Sequence, residues 1–190
     1  MSIDTKVGNF VRDINSYLDE LHEDRGSKRP IVKFKINERQ ITRKRTPKQQ
    51  AKCVSRRTSW VCWSSHMANK ARHAQVKVGD RTYYGEAKHE KVRTALGNDF
   101  KKFKDKWRAA MKKRGLKNAK GREGWYPKDA FHLELPKSKL TKDHRLAKEA
   151  LNWYARQTRL GGWDKNRKFE NKYKELLKPY FKKYERYSLR

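Results

Sequence analysis

Cys53, Cys62, His66 and His73 are residue types that bind zinc, and they fall within 21 positions with the spacing C-x8-C-x3-H-x6-H. Zinc-stabilised modules usually present a C-x2–4-C pair, which is missing here. The plainer alternative is a buried Cys62, a surface Cys53 and two exposed histidines. Asp80 and Glu86, with Lys88 two residues further on, suggest another chemistry. Two carboxylates can hold Mg²⁺ while a lysine stands near the attacking water of a phosphodiester hydrolysis. Only five residues, one of them Gly85, separate the two acids, which is tight for ligands carried on two strands. Asp80 also reads as a turn residue, and Glu86 as a helix-start residue favoured by the helix dipole. His22, His89, His132 and His144 fall in no recognisable motif. There is no Ser-His-Asp order, HExxH, Gly-rich phosphate loop or dinucleotide fingerprint. The expectation is binding rather than catalysis, with no resident cofactor; Zn and Mg are the two ions weighed.

Charge carries a stronger signal. The 190-residue chain has 51 Lys and Arg against 21 Asp and Glu, a formal net charge of +30. Charged residues make up 38% and hydrophobic ones 35%, enough for one domain, or one domain plus an appendage, with a modest core. An aromatic content of 12% argues against a disordered chain. No apolar run approaches the roughly 18–20 residues of a membrane span. The segment MSIDTKVGNFVRDIN lacks an apolar h-region and is acidic, unlike a secretory or mitochondrial-type leader. Two cysteines make no disulfide framework, so the expected setting is intracellular and reducing, in cytoplasm, nucleus or nucleoid. An ordinary small-molecule enzyme does not need +30, whereas a polyanion binder does, and nucleic acid is the commonest polyanion.

The charge is unevenly spread. Residues 1–25 hold three basic and six acidic residues, and residues 26–57 hold twelve basic residues and one acid. The densest stretch contains Arg39, Arg43, Lys44, Arg45, Lys48, Lys52, Arg56 and Arg57 and reads as an arm or long loop. Neutralising phosphates with such residues releases counterions, so binding would weaken with salt. Trp60 and Trp63 follow this stretch and offer faces on which unpaired bases stack, at about 1–3 kcal/mol each. Tyr180, Phe181, Tyr184 and Tyr187 alternate with Lys182, Lys183 and Arg186, although 180 and 184 also continue an apolar stripe.

These residues must be positioned by a few elements. Ile3, Val7, Phe10, Val11, Ile14, Tyr17, Leu18 and Leu21 recur with helical period and predict an amphipathic helix over 3–23. Its acidic outer face suits packing on the body, self-association or shielding of the basic surface. Residues 32–36 alternate like a strand, as do 131–135. Residues 58–63, 74–78 and 81–84 read as three short antiparallel strands, the last two joined by a tight turn at Gly79-Asp80. Val92, Ala95, Leu96, Phe100, Phe103, Trp107, Ala110 and Met111 mark a helix over 87–114 that stops at Gly115, with a break foreseen at Gly97. Its outer face carries Lys101, Lys102, Lys104, Lys106, Arg108, Lys112 and Lys113. Residues 115–124, GLKNAKGREG, form the best candidate linker. Helices are expected over 141–158, capped by Thr141, and again from Phe169, with Pro179 kinking or ending the last.

Trp60-Val61-Cys62-Trp63, the run Ala71–Gly85 and the helix after it together resemble the Apetala-type DNA-binding domain, over about 40 of 190 residues. That family lays a three-stranded sheet, backed by one helix, in the major groove. The resemblance implies that Arg72, Gln75, Lys77 and Arg81 reach bases and phosphates; in that groove Arg favours guanine and Gln adenine. Two departures stand against it: Glu86-Ala87 replaces the aromatic expected after the third strand, and Ser64–Lys70 is long for the first turn. The same stretch also looks like the second half of a double-stranded-RNA-binding domain, which reads shape across minor grooves. Asp80 with Glu86-Ala87-Lys88 resembles the D…(D/E)xK metal-nuclease core. Tyr83-Tyr84-Gly85 with Arg93 echoes the GIY-YIG nuclease pattern, whose first half is absent upstream.

The sequence therefore predicts an α+β protein: a small antiparallel sheet packed on amphipathic helices, with a helical C-terminal part. It divides into an acidic helix (1–25), a strand plus basic arm (26–57), a sheet and long basic helix (58–115), and a C-terminal region (124–190). The expected activity is nucleic-acid binding, DNA ahead of RNA. The alternatives are a metal-dependent nuclease and an RNA-binding ribonucleoprotein component.

Overall fold

A computed structural model describes residues 1–25, 30–36, 44–56, 59, 63–83, 88–136, 145–147, 149–150 and 152–153. The chain divides into two compact units. The first comprises Met1–Arg43 and Lys70–Leu140, and the second Lys44–Asn69 and Thr141–Arg190. The architecture is α+β, among the described residues a small antiparallel sheet of four strands together with helices.

The first unit opens with helix α1, Ile3–Arg25. Ile3, Val7, Phe10, Val11, Ile14 and Leu18 form its buried stripe, as the period predicts. Strand β1 is Val32–Ile36, β2 Ala71–Val78, β3 Arg81–Tyr83 and β4 His132–Glu134. β1 and β3 both pair antiparallel with the C-terminal half of β2, whereas β4 pairs with its first three residues. The β2–β3 turn has Gly79 at φ 56, the positive angle that a two-residue II′ hairpin needs at its first central position. Two of the expected strands thus form, but the third partner is β1. Most of 58–63 lies outside the described residues.

The long basic helix forms in two parts. Helix α3, Lys88–Leu96, leads through a 3₁₀ turn at Gly97–Asp99 into α4, Phe100–Arg114. The interruption falls at the glycine, and α4 ends where Gly115 takes the left-handed conformation at φ 61. α1 packs on α4, β1 and β2. Side chains of α1, α3 and α4 meet Val32, Phe34, Ala74, Val76 and Leu133 on one face of the sheet. Trp107 lies at the centre, with its ring centroid 4.7 Å from Phe10 and 4.9 Å from Trp125, both edge-on. Edge-on pairs add about 0.5–1.5 kcal/mol each beyond the area they bury.

Residues 115–124 form a packed loop rather than a linker. Leu116 is buried, and Lys117 exchanges backbone hydrogen bonds with Glu134. The buried Asn118 accepts at Oδ1 from the backbone N–H of Lys120 and Arg122, and its Nδ2 donates to the Gly124 carbonyl. One asparagine side chain thus replaces the missing ladder partners of a tight loop.

In the second unit the predicted arm contains helix α2, Pro47–Ser55. Thr46 and Gln49 form a reciprocal capping box and Pro47 occupies the first turn. Gln50, Ala51 and Val54 are its buried face. Residues 145–147, 149–150 and 152–153 are helical. Thr141 and the last expected helix, with its aromatic–basic alternation, lie outside the described residues.

Candidate nucleic-acid interface and a histidine–carboxylate cluster

Strand alternation assigns the sheet's two faces. Val32, Phe34, Ala74 and Val76 point to the helices, so Lys33, Lys35, Gln75 and Lys77 point the other way. The register sets Lys33 opposite Lys77 and Lys35 opposite Gln75. The three lysines are exposed and Gln75 is half-buried. Lys33 lies 3.7 Å from Asp19 and Lys77 3.9 Å from Asp80, exposed pairs of little strength.

Arg72 and Arg81 do not join this row. Arg72 is even-numbered on β2, so it faces the helices; it is 1% exposed and donates from Nε and Nη2 to the Asp4 carboxylate of α1 at 2.8 and 3.1 Å. This corrects the expectation that Arg72 reaches a base. Arg81 is exposed, but it stands opposite Val78 and so belongs to the helix-side face. Of the four residues implied by the Apetala-type resemblance, Gln75 and Lys77 share an outward face.

The basic helix presents more charge. α4 contains eight Lys and Arg and a single acid, Asp105. Phe100, Phe103, Trp107, Ala110 and Met111 occupy the buried side, leaving Lys101, Lys102, Lys104, Lys106, Arg108, Lys112 and Lys113 exposed. Lys101, Lys104, Arg108 and Lys112 follow a three-to-four-residue spacing and form one stripe.

In the second unit Lys44, Lys48, Lys52 and Arg56 are exposed. Lys48 Nζ lies over the Trp153 ring at 4.8 Å. Arg45 is half-buried: its guanidinium donates to Gln50 Oε1 at 3.0 Å and its backbone N–H to the His66 carbonyl. Trp63 is half-buried with its indole nitrogen out of solvent. Arg39, Arg43, Arg57 and Trp60 lie outside the described residues.

The acidic helix supplies counter-charges to the body. Besides Asp4, Asp13 accepts two hydrogen bonds from the Arg114 guanidinium, each 2.7 Å, and lies 3.7 Å from Lys113. The Arg114 hydrogen bonds hold the Asp13 carboxyl below its ordinary range against the opposing effect of burial. The Arg25 guanidinium pairs with Asp99. The apolar stripe of α1 is buried in its own unit.

The proposed ion sites fare differently. Cys62 and Glu86 lie outside the described residues. Asp80 sits fully exposed at the hairpin tip, where it reads as a turn residue. Cys53 and His66 are not surface groups: Cys53 is half-buried and His66 is buried. His73, one of the four residues weighed as a zinc set, faces His132 across the β2–β4 register. Its Nε2 lies 3.1 Å from His132 Nδ1. Asp129, at the end of the 3₁₀ turn Pro127–Asp129, places Oδ1 3.4 Å from His73 Nε2 and Oδ2 3.5 Å from His132 Nδ1. On the other side of the ring, His132 Nε2 lies 3.0 Å from Glu134 Oε2. His132 and Glu134 are two apart on a strand and share a face, a spacing visible in the sequence; their meeting with His73 depends on strand pairing. Comparison with known protein families, curated proteins and solved structures finds nothing that matches this chain.

Proposed function

We propose that this protein binds nucleic acid, duplex DNA ahead of RNA, chiefly through its phosphates. The observation that carries the proposal is α4. Its large apolar residues are buried, and seven of its eight basic residues stand exposed with a single acid, a dense positive face in solvent. A polyanion is the complement of such a face, since each phosphate neutralised releases condensed counterions. Lys33, Lys35 and Lys77 on the sheet, with Lys44, Lys48, Lys52 and Arg56 of the second unit, extend the supply of exposed cations. Lysine-rich contacts position a backbone without reading sequence. Gln75, beside Lys77 on the outer sheet face, is the residue suited to an adenine edge.

The test is a titration of duplex DNA, single-stranded DNA and duplex RNA at several salt concentrations. The triple substitution Lys101→Ala, Lys104→Ala, Arg108→Ala should weaken duplex binding for all sequences. It should also flatten the salt slope by about 0.9 per lost phosphate contact. A slope identical to that of the unaltered protein removes α4 from the interface, and no binding at low salt removes the function.

A further inference from the structure

We propose that the first unit holds a divalent transition-metal ion, of the zinc class, on His73, His132 and Asp129, with Glu134 orienting one of the ligands. The two imidazole nitrogens face each other, and the Asp129 carboxylate turns a different oxygen to each. Their separations are 3.1 Å between His73 Nε2 and His132 Nδ1, 3.4 Å from His73 Nε2 to Asp129 Oδ1 and 3.5 Å from His132 Nδ1 to Asp129 Oδ2. A tetrahedral ion with bonds of about 2.0–2.1 Å sets its donor atoms about 3.3–3.4 Å apart. The nitrogen–nitrogen edge is close to that of an ion's ligand shell, and the carboxylate supplies an oxygen at a similar separation from each imidazole.

The donor chemistry agrees with the geometry. An ionised carboxylate can only accept a hydrogen bond, so the 3.0 Å contact from Glu134 Oε2 places a proton on His132 Nε2. That tautomer leaves the lone pair on Nδ1, the nitrogen turned toward His73 and Asp129. A carboxylate behind a ligating imidazole is the usual outer support of a zinc-bound histidine, fixing its ring and raising its basicity. Two imidazoles and one carboxylate suit zinc, iron, cobalt or manganese better than Mg²⁺ or Ca²⁺, which favour all-oxygen shells.

The scaffold is rigid where the ligands sit. His73 and His132 are direct cross-strand partners, and Ala74 N–H donates to the Phe131 carbonyl at 3.0 Å beside them. Phe131 and Leu133, which flank His132, are buried in the hydrophobic core. Asp129 is half-exposed, so the cluster opens to solvent on that side. This site shares no residue with the basic surface on which the nucleic-acid reading rests.

The test uses the full chain, stripped with chelator and titrated with Zn²⁺ alone, bound metal being counted after dialysis. One equivalent is expected. Asp129→Asn and His73→Ala should each abolish stoichiometric binding, and Glu134→Gln should weaken it 10–100-fold. Cys53→Ser and Cys62→Ser should leave it unchanged. Co²⁺ in place of Zn²⁺ should give ligand-field bands without a thiolate charge-transfer band. Binding that survives Asp129→Asn and His73→Ala, a thiolate band, or no bound metal in the unaltered protein overturns the proposal. Circular dichroism of each variant separates loss of ligand from loss of fold, and the result on the unaltered protein stands whatever the variants do.

Discussion

The Asp13–Arg114 pair links acidity to folding. Two 2.7 Å hydrogen bonds from one guanidinium hold the Asp13 carboxyl below its ordinary range. The folded state therefore binds this proton less readily than the unfolded chain does. The resulting stability is present in full above the unfolded carboxylate value near 3.9 and is lost as pH falls through the lower folded value. Asp13→Asn should lower the melting temperature by several degrees at neutral pH. The gap from the unaltered protein should shrink progressively below about pH 4. A gap of equal size at pH 7 and in acid would mean that packing, not charge, accounts for it. Asp4 likewise accepts two hydrogen bonds from the guanidinium of the buried Arg72. An arginine on a strand next to histidine and glutamine reads as a groove-binding residue in the sequence. Nothing local reveals that the carboxylate it meets lies 68 positions away.

At the scale of elements, local pattern was informative wherever a single period governed. The 3.6-residue repeat marks α1 and α4, and Gly79 and Gly115 mark the turn and the stop. Within the dense basic run 39–57 charge masked structure: Thr46-Pro47-Lys48-Gln49 is a capping box with proline in the first turn, and it starts α2. The glycines of 115–124 suggested a linker because sequence does not show Asn118 organising the loop from within. The histidine cluster is hidden in the sequence for a different reason. His132 and Glu134 lie on one short strand, but His73 joins them only when β4 pairs with the start of β2. Non-local pairing of that sort is set by the whole sheet. The α4 stop can be tested directly. Gly115 sits at φ 61, and an added Cβ would lie 3.2 Å from Lys6 Nζ, which donates to the Arg114 carbonyl. Gly115→Ala should destabilise the protein by about 1–2 kcal/mol in denaturant unfolding, mostly from the left-handed backbone. An unchanged midpoint would mean that the helix ends elsewhere in solution.

For the whole molecule, +30 is both the basis of the proposed phosphate binding and a burden on folding. The acids of α1 neutralise arginines and lysines of the first unit, while the cations of α4 and the outer sheet face remain in solvent. At low ionic strength those cations repel one another over about 30 Å, a range that contracts to about 8 Å at physiological salt. Raising salt from about 0.01 to 0.15 M should therefore raise the melting temperature, because relief of general repulsion outweighs the screening of a few close pairs. Duplex DNA should produce the same rise at low salt, by binding the folded state. At 100 times its dissociation constant the gain is about 2.7 kcal/mol. The two effects must then compete, since salt weakens the complex as it relieves repulsion. Scanning calorimetry over a grid of salt and DNA concentrations reads this directly: the increment from DNA should be large at 0.01 M and shrink as salt rises. A melting temperature that falls steadily with salt, or a DNA increment independent of salt, would mean that the exposed cations are already balanced within the protein and that the phosphate-binding reading is wrong.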